Sequence, residues 1–213
     1  MKLVVGFTGA SGAIYGVRFL EVLHDAYPEI ETHLVVSKAG LRVLQHETGR
    51  DLKDLAGWAS VVHPESDIGA RPASGSARFD AMVIIPCSVK TLGLLAAGTG
   101  DNLIGRAADV ILKEGRRLVL VPREMPLSAI HLENMLKLAR LGVMILPASP
   151  GFYFGPKTLD DLVNHVVGKT LDALGLEQQL FERWKGQFPE RRRGTAAARG
   201  TEEGRGAQPE EAT

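Results

Sequence analysis

The first two dozen residues restrict this chain most. A short apolar run over residues 3–7 breaks into Gly9-Ala10-Ser11-Gly12, and apolar residues then recur at helical spacing over 14–23 (Ile14, Val17, Leu20, Val22, Leu23). A run of that length before glycines reads as a buried strand, and the period that follows reads as an amphipathic helix. Strand, tight turn and helix in direct succession are the start of a parallel sheet, because a parallel neighbour needs a crossover. The alternation continues along the chain. Strands are predicted over 33–36, 81–85, 118–121 and 143–146, and helices over 39–45, 89–97, 103–113, 129–140, 159–174 and 177–184. The pattern predicts an α/β fold with a mostly parallel sheet covered on both faces.

With 213 residues, 45% apolar and 23% charged, the chain can bury one sizeable core. Residues 189–213 contain no Ile, Leu, Val, Met or aromatic side chain, so a folded domain is expected over 1–188 and a disordered tail over 189–213. Residues 68–78 read as a loop of small side chains. Lys plus Arg and Asp plus Glu cancel at 25 each, which carries no footprint of nucleic-acid binding or of a polybasic membrane surface. The single Cys87 excludes an intramolecular disulfide and a multi-cysteine zinc site, and reads as a small buried hydrophobe. With no signal-peptide pattern at the start, a cytoplasmic address is expected. No two of the six histidines stand at metal-ligand spacing, so no metal is expected, and His131 reads as a helix-packing residue.

Three segments can carry chemistry. Thr8-Gly9-Ala10-Ser11-Gly12 lies where backbone N–H groups and a helix N-terminus can receive a phosphate; close helix packing is the other reading of its glycines. Glycines at 6, 9 and 12 do not make G-x-G-x-x-G, and Ser37-Lys38 stand where a ribose-binding acid would be, so dinucleotide binding is disfavoured. Pro86-Cys87-Ser88-Val89-Lys90-Thr91 repeats the strand-to-helix logic, although plain N-capping also explains Ser88. Arg123-Glu124 follows a strand at the carboxyl edge, where open α/β sheets hold ligands; a surface salt bridge is the alternative. A carboxylate beside a bound phosphate has its pKa raised by like charge and can protonate a departing phosphate. Tyr153 and Lys157 have the Y-x-x-x-K spacing of short-chain dehydrogenases, but Gly155 and Pro156 deny them a shared helix face.

Taken in order, Gly9-Ala10-Ser11-Gly12-Ala13, Ser37-Lys38, Pro72-Ala73-Ser74-Gly75-Ser76, Pro86-Cys87-Ser88, Leu103-Ile104 with Arg106-Ala107-Ala108-Asp109-Val110, Arg123-Glu124, Ile130-His131-Leu132-Glu133-Asn134-Met135 and Gly151-Phe152-Tyr153 closely resemble the UbiX/Pad1 flavin prenyltransferases from residue 3 to about 184. The resemblance implies a Rossmann-like (flavodoxin-like) three-layer sandwich and a homo-oligomer, typically a dodecamer. It implies transfer of a dimethylallyl group from dimethylallyl monophosphate to N5 and C6 of reduced FMN without a metal, the product serving a UbiD-type decarboxylase. By the same resemblance Gly9, Ala10, Ser11, Ser37, Ser88, Val89, Lys90, Thr91 and Arg123 hold FMN, and Glu47 lies with Ser11 near flavin N5. Lys113, Arg123, Glu124, Tyr153 and Lys169 grip the prenyl phosphate; Lys169 stands where the family often has Arg. Trp184 supplies an aromatic face for an allylic cation. Two rivals are an FMN-dependent decarboxylase of cysteine-derived carboxylates, whose small-residue loop continues Asn-Thr rather than Gly75-Ser76, and an FMN-storing binding protein.

Overall fold

The computed structural model describes residues 1–186, and residues 189–213 of the expected tail lie outside them. Six strands, β1 (Lys2–Phe7), β2 (Glu31–Val36), β3 (Val61–His63), β4 (Ala81–Cys87), β5 (Arg117–Pro122) and β6 (Met144–Ile145), pair in the order β3-β2-β1-β4-β5-β6. Every pairing is parallel. Seven helices cover the sheet: α1 (Ala13–Ala26), α2 (Lys38–Thr48), α3 (Leu52–Ala56), α4 (Val89–Ala97), α5 (Leu103–Lys113), α6 (Ala129–Arg140) and α7 (Leu159–Leu174). These elements belong to a unit spanning Met1–Arg183, and a second unit starts at Trp184.

The two-residue period of the strands sorts the core into two halves. Leu3, Val5 and Phe7 of β1 pack with α1 and α7, whereas Val4 of β1 with Met82 and Ile84 of β4 packs against α4 and α5. Each such side chain is fully buried, which contributes about 1.5–3 kcal/mol apiece before entropy is counted. The helices start where a short polar side chain can take an orphan N–H. Ser88, Asn102, Ser128 and Thr158 accept from Thr91, Gly105, His131 and Asp161 respectively. His131 turns its Nδ1 back to accept the N–H of Ser128 at 3.3 Å, so it caps α6 instead of packing it.

Residues 177–184, read as a helix from the sequence, are irregular. Gly175 ends α7 at φ 80°, and side chains then replace the helical ladder: Gln178 accepts the N–H of Leu180 at 2.8 Å, and Arg183 donates to Asp172 at 2.7 Å. Eight residues are too few to sustain a helix without packing one face. The sequence reading also omitted α3 and β3, and the small-residue loop contains two 3-10 turns, Arg71–Ala73 and Gly75–Ala77.

Candidate active site

The chain leaves β1 outward to β2 and β3, then returns to β4 on the other side of β1. Between the carboxyl ends of β1 and β4 the crossovers diverge, which opens the crevice where such sheets bind ligands. Thr8 forms its floor. Its hydroxyl donates to the carbonyl of Pro86 at 2.8 Å and accepts the N–H of Ser88 at 2.8 Å. One strand further, the N–H of Arg123 reaches the carbonyl of Cys87 at 3.4 Å, and its Nε donates to the carbonyl of Ser11 at 3.0 Å. Arg123 therefore ties the end of β5 to the glycine turn.

The turn is shaped by close approach. A Cβ on Gly9 would stand 2.5 Å from the Cβ of Ala39, so glycine lets the first turn of α2 press onto it. Gly12 has φ 100° and no side chain to cap α1. Glu47, from the last turn of α2, does so instead: its Oε2 accepts the N–H groups of Gly12 at 2.9 Å and Ala13 at 2.8 Å. The amino end of α1, expected to face a phosphate, is thus already occupied by a carboxylate. Burial pushes the Glu47 pKa up, but the Ser11 hydroxyl, these two N–H groups and the Arg123 charge together hold it below its ordinary value. Ser11, Glu47 and Arg123 form one cluster.

At the start of α4 lies a helix end suited to an anion. A cavity of about 530 Å³ is lined by Thr8, Gly9, Ser37, Ser88, Lys90 and Thr91 among others, within the roughly 300–1,000 Å³ usual for small-molecule and cofactor sites. Ser88 and Thr91 hold each other there, with their hydroxyls 3.0 Å apart. The N–H groups of Val89 and Lys90 open α4 and have no intrahelical acceptor, which suits them to an anion. Ser37 caps α2 by accepting from Gly40 at 2.9 Å. Cys87, beside this end, is fully buried, and burial pushes its thiol up to about 12, which excludes a thiolate nucleophile.

The residues read as a prenyl-phosphate grip are not all together in one chain. Glu124 follows Arg123 at the carboxyl edge, half-buried, and its Oε1 accepts the N–H of Met125 at 3.1 Å. Lys113 does not reach that edge. It ends α5, whose 11 residues run from the carboxyl side to the start of β5, about 16 Å away, and there it pairs with Glu114 at 3.5 Å. Tyr153 and Lys169 belong to another cluster, around α7. Tyr153 meets the His165 ring edge-on at 5.7 Å, Phe154 stacks on His165 at 5.1 Å, and Lys169 pairs with Asp172 at 3.7 Å. Trp184 heads the second unit and is not assigned to this site. Sequence reasoning missed Thr8 as a floor residue, Glu65 in the α4 cavity and His165 beneath Tyr153; only Thr8 stood within a segment already singled out. Among the described residues no group of three or more His, Cys, Asp or Glu could hold a metal, and no helix is long and apolar enough to cross a membrane.

Residues 1–171 match the Flavoprotein family. The probable UbiX-like flavin prenyltransferase of Escherichia coli O157:H7 is 54% identical over 186 residues, covering 87% of this chain and 94% of that protein. The chain belongs to the UbiX-like flavin prenyltransferase family. Among solved members, a dodecameric protein from Escherichia coli O157:H7, described as an FMN-dependent UbiX-like decarboxylase, superposes with a TM-score of 0.85 at 54% identity, over 87% of this chain and all (100%) of that one. AnUbiX (PadA1), solved with FMN and dimethylallyl pyrophosphate, superposes with a TM-score of 0.84 at 45% identity, over 87% of this chain and 98% of that one. The UbiX-like fold is the Rossmann-like α/β sandwich anticipated from the sequence, with an all-parallel sheet.

Proposed function

We propose that the chain is a flavin prenyltransferase that moves a dimethylallyl group from dimethylallyl monophosphate to N5 and C6 of reduced FMN. The observation that carries this reading is the Arg123–Ser11 hydrogen bond at 3.0 Å, which brings the glycine turn, Glu47 and the residue before Glu124 to one crevice. Gly9, Ala10, Ser11 and Arg123 would hold the flavin, and Ser37 with the 88–91 turn its phosphate. Reduced FMN supplies the nucleophilic positions. The protein handles the leaving group. Breaking the donor's C–O bond sends its electron pair to phosphate, and Arg123 opposes the growing charge while Glu124 gives the phosphate a proton. Glu47, ionised through its N–H contacts, is poised with Ser11 to accept and pass on a proton.

The position of Lys113 makes the oligomer part of this proposal. Within one chain it stands at the far edge of the sheet, so it can grip the donor only if a neighbouring copy presents it. Surface composition supports assembly: Met125, Ile130 and Leu141 are 86%, 68% and 62% exposed, an unusual density of bare apolar side chains around α6. We infer a dodecamer like that of the E. coli relative, with Tyr153 and Lys169 also serving a shared site. A UbiD-type decarboxylase is the proposed recipient of the product. A cytoplasmic address is supported by a lone, buried thiol.

Anaerobic incubation with reduced FMN and dimethylallyl monophosphate, followed by mass spectrometry, tests the reading. A flavin heavier by one dimethylallyl unit is the expected product; unmodified flavin with both the monophosphate and the diphosphate donor would refute it.

A further inference from the structure

The cavity at the start of α4 contains a residue that neither the motifs nor the proposed chemistry uses. Glu65 lies in the segment after β3, and its carboxylate is held on both oxygens. Oε2 accepts the N–H of Lys38, the first residue of α2, at 2.8 Å, and Oε1 accepts the side-chain amide of Asn102, the cap of α5, at 3.0 Å. Its carbonyl accepts the N–H of Leu103 at 2.8 Å. Two hydrogen bonds thus fix the carboxylate between the starts of two helices, and a third holds its backbone there.

That carboxylate lines the same cavity as Ser37, Ser88 and Thr91. The lining carries three cations, Lys38, Arg42 and Lys90, against two acids, Glu65 and Asp101, so its charge favours an anion by a narrow margin. An anion held at α4 finds donors there. A second phosphate joined to it would enter the remainder of the cavity, where the first N–H of α2 is already taken by Glu65 and where like charges would meet. We propose that Glu65 makes this site selective for a flavin monophosphate, excluding flavin adenine dinucleotide and other diphosphates. The inference rests on the reading that the flavin phosphate binds at the start of α4, and it adds a specificity-determining residue to it.

Direct binding tests it without turnover. Calorimetric titration of the full chain, freed of flavin, with FMN and separately with flavin adenine dinucleotide gives a preference ratio. Wild type should favour FMN strongly. In Glu65→Gln the ratio should fall by about tenfold or more, chiefly through tighter dinucleotide binding, as expected when one close like-charge contact is removed. Glu65→Asp, which keeps the charge, should retain most of the preference. Glu65→Met removes the charge at similar side-chain length, and serves if the Gln variant does not fold. A ratio unchanged within about twofold in both neutral variants would overturn the role of Glu65 while leaving the phosphate site intact. No FMN binding by the wild type would overturn the phosphate-site reading itself and this inference with it.

Discussion

Glu47 and Ala13 are 34 positions apart in sequence, yet the Glu47 carboxylate accepts the Ala13 N–H at 2.8 Å. A helix whose own cap position is a glycine is thereby closed by the end of its neighbour, and the acid is set beside Ser11 and Arg123 in the same step.

That contact has a pH signature. The Glu47 carboxyl is held below its ordinary 4.5 in the fold, so its contribution to stability is complete above that value. It is lost as pH falls through the lowered value, because the folded state resists the proton that the unfolded state accepts. Glu47→Gln is expected to cost about 1 kcal/mol or less at neutral pH, the scale of an N-cap reduced by solvent screening, and to make the acid limb of stability shallower. Thermal melts between neutral pH and about pH 3 check this; identical acid limbs would contradict it.

Glu124→Gln separates proton donation from binding. FMN affinity should stay near that of the wild type, while prenyl transfer falls by roughly 10²-fold or more, the scale for removing a general acid. Single-turnover assays with reduced FMN read the step directly. Full activity would leave Glu124 as a partner that positions Arg123.

Lys113 offers a test of assembly. Lys113→Met and Glu124→Gln should each be nearly inactive alone. If one copy's lysine serves another copy's crevice, oligomers formed by co-expressing the two variants should regain about a quarter of the sites on random mixing. No recovery in verified mixed oligomers would place Lys113 outside the site.

His165 is 7% exposed; its Nδ1 accepts the Gly151 N–H at 3.4 Å, and its Nε2 has no hydrogen-bond partner among the described residues. Burial, then the Lys169 charge, lower its pKa against a smaller opposing pull from Asp172. Here the folded state refuses a proton that the unfolded state takes, so stability is complete above the ordinary imidazole value of 6.5 and declines as pH drops below it. His165→Phe, which keeps the ring stack, should lessen that decline. A decline of equal depth in the variant would assign it elsewhere.

Helices were the most legible elements. Residues 89–97, 103–113, 129–140 and 159–174 agree with α4, α5, α6 and α7, because each has a polar cap followed by a clear apolar period. β3 escaped notice since three half-exposed residues at a sheet edge, Val61, Val62 and His63, make too short a pattern. The placement of Arg123 and Glu124 at the carboxyl edge could be read from the strand before them. Lys113 could not be read as near them, because a crossover helix that starts at the carboxyl edge must end at the other. Glu65 left no signal at all; its partners Lys38 and Asn102 open helices on opposite faces of the sheet and approach each other only at its carboxyl edge.

The Thr8 hydroxyl joins the ends of β1 and β4 in both directions, donating to one strand and accepting from the turn beyond it. The crevice is thus riveted at its base before anything enters. An anion entering there meets a base already tied to two strands, and exchanges with the Ser88–Thr91 hydroxyl contact above. Association should therefore be fast and little burdened by chain entropy, leaving dissociation to set how long a flavin stays.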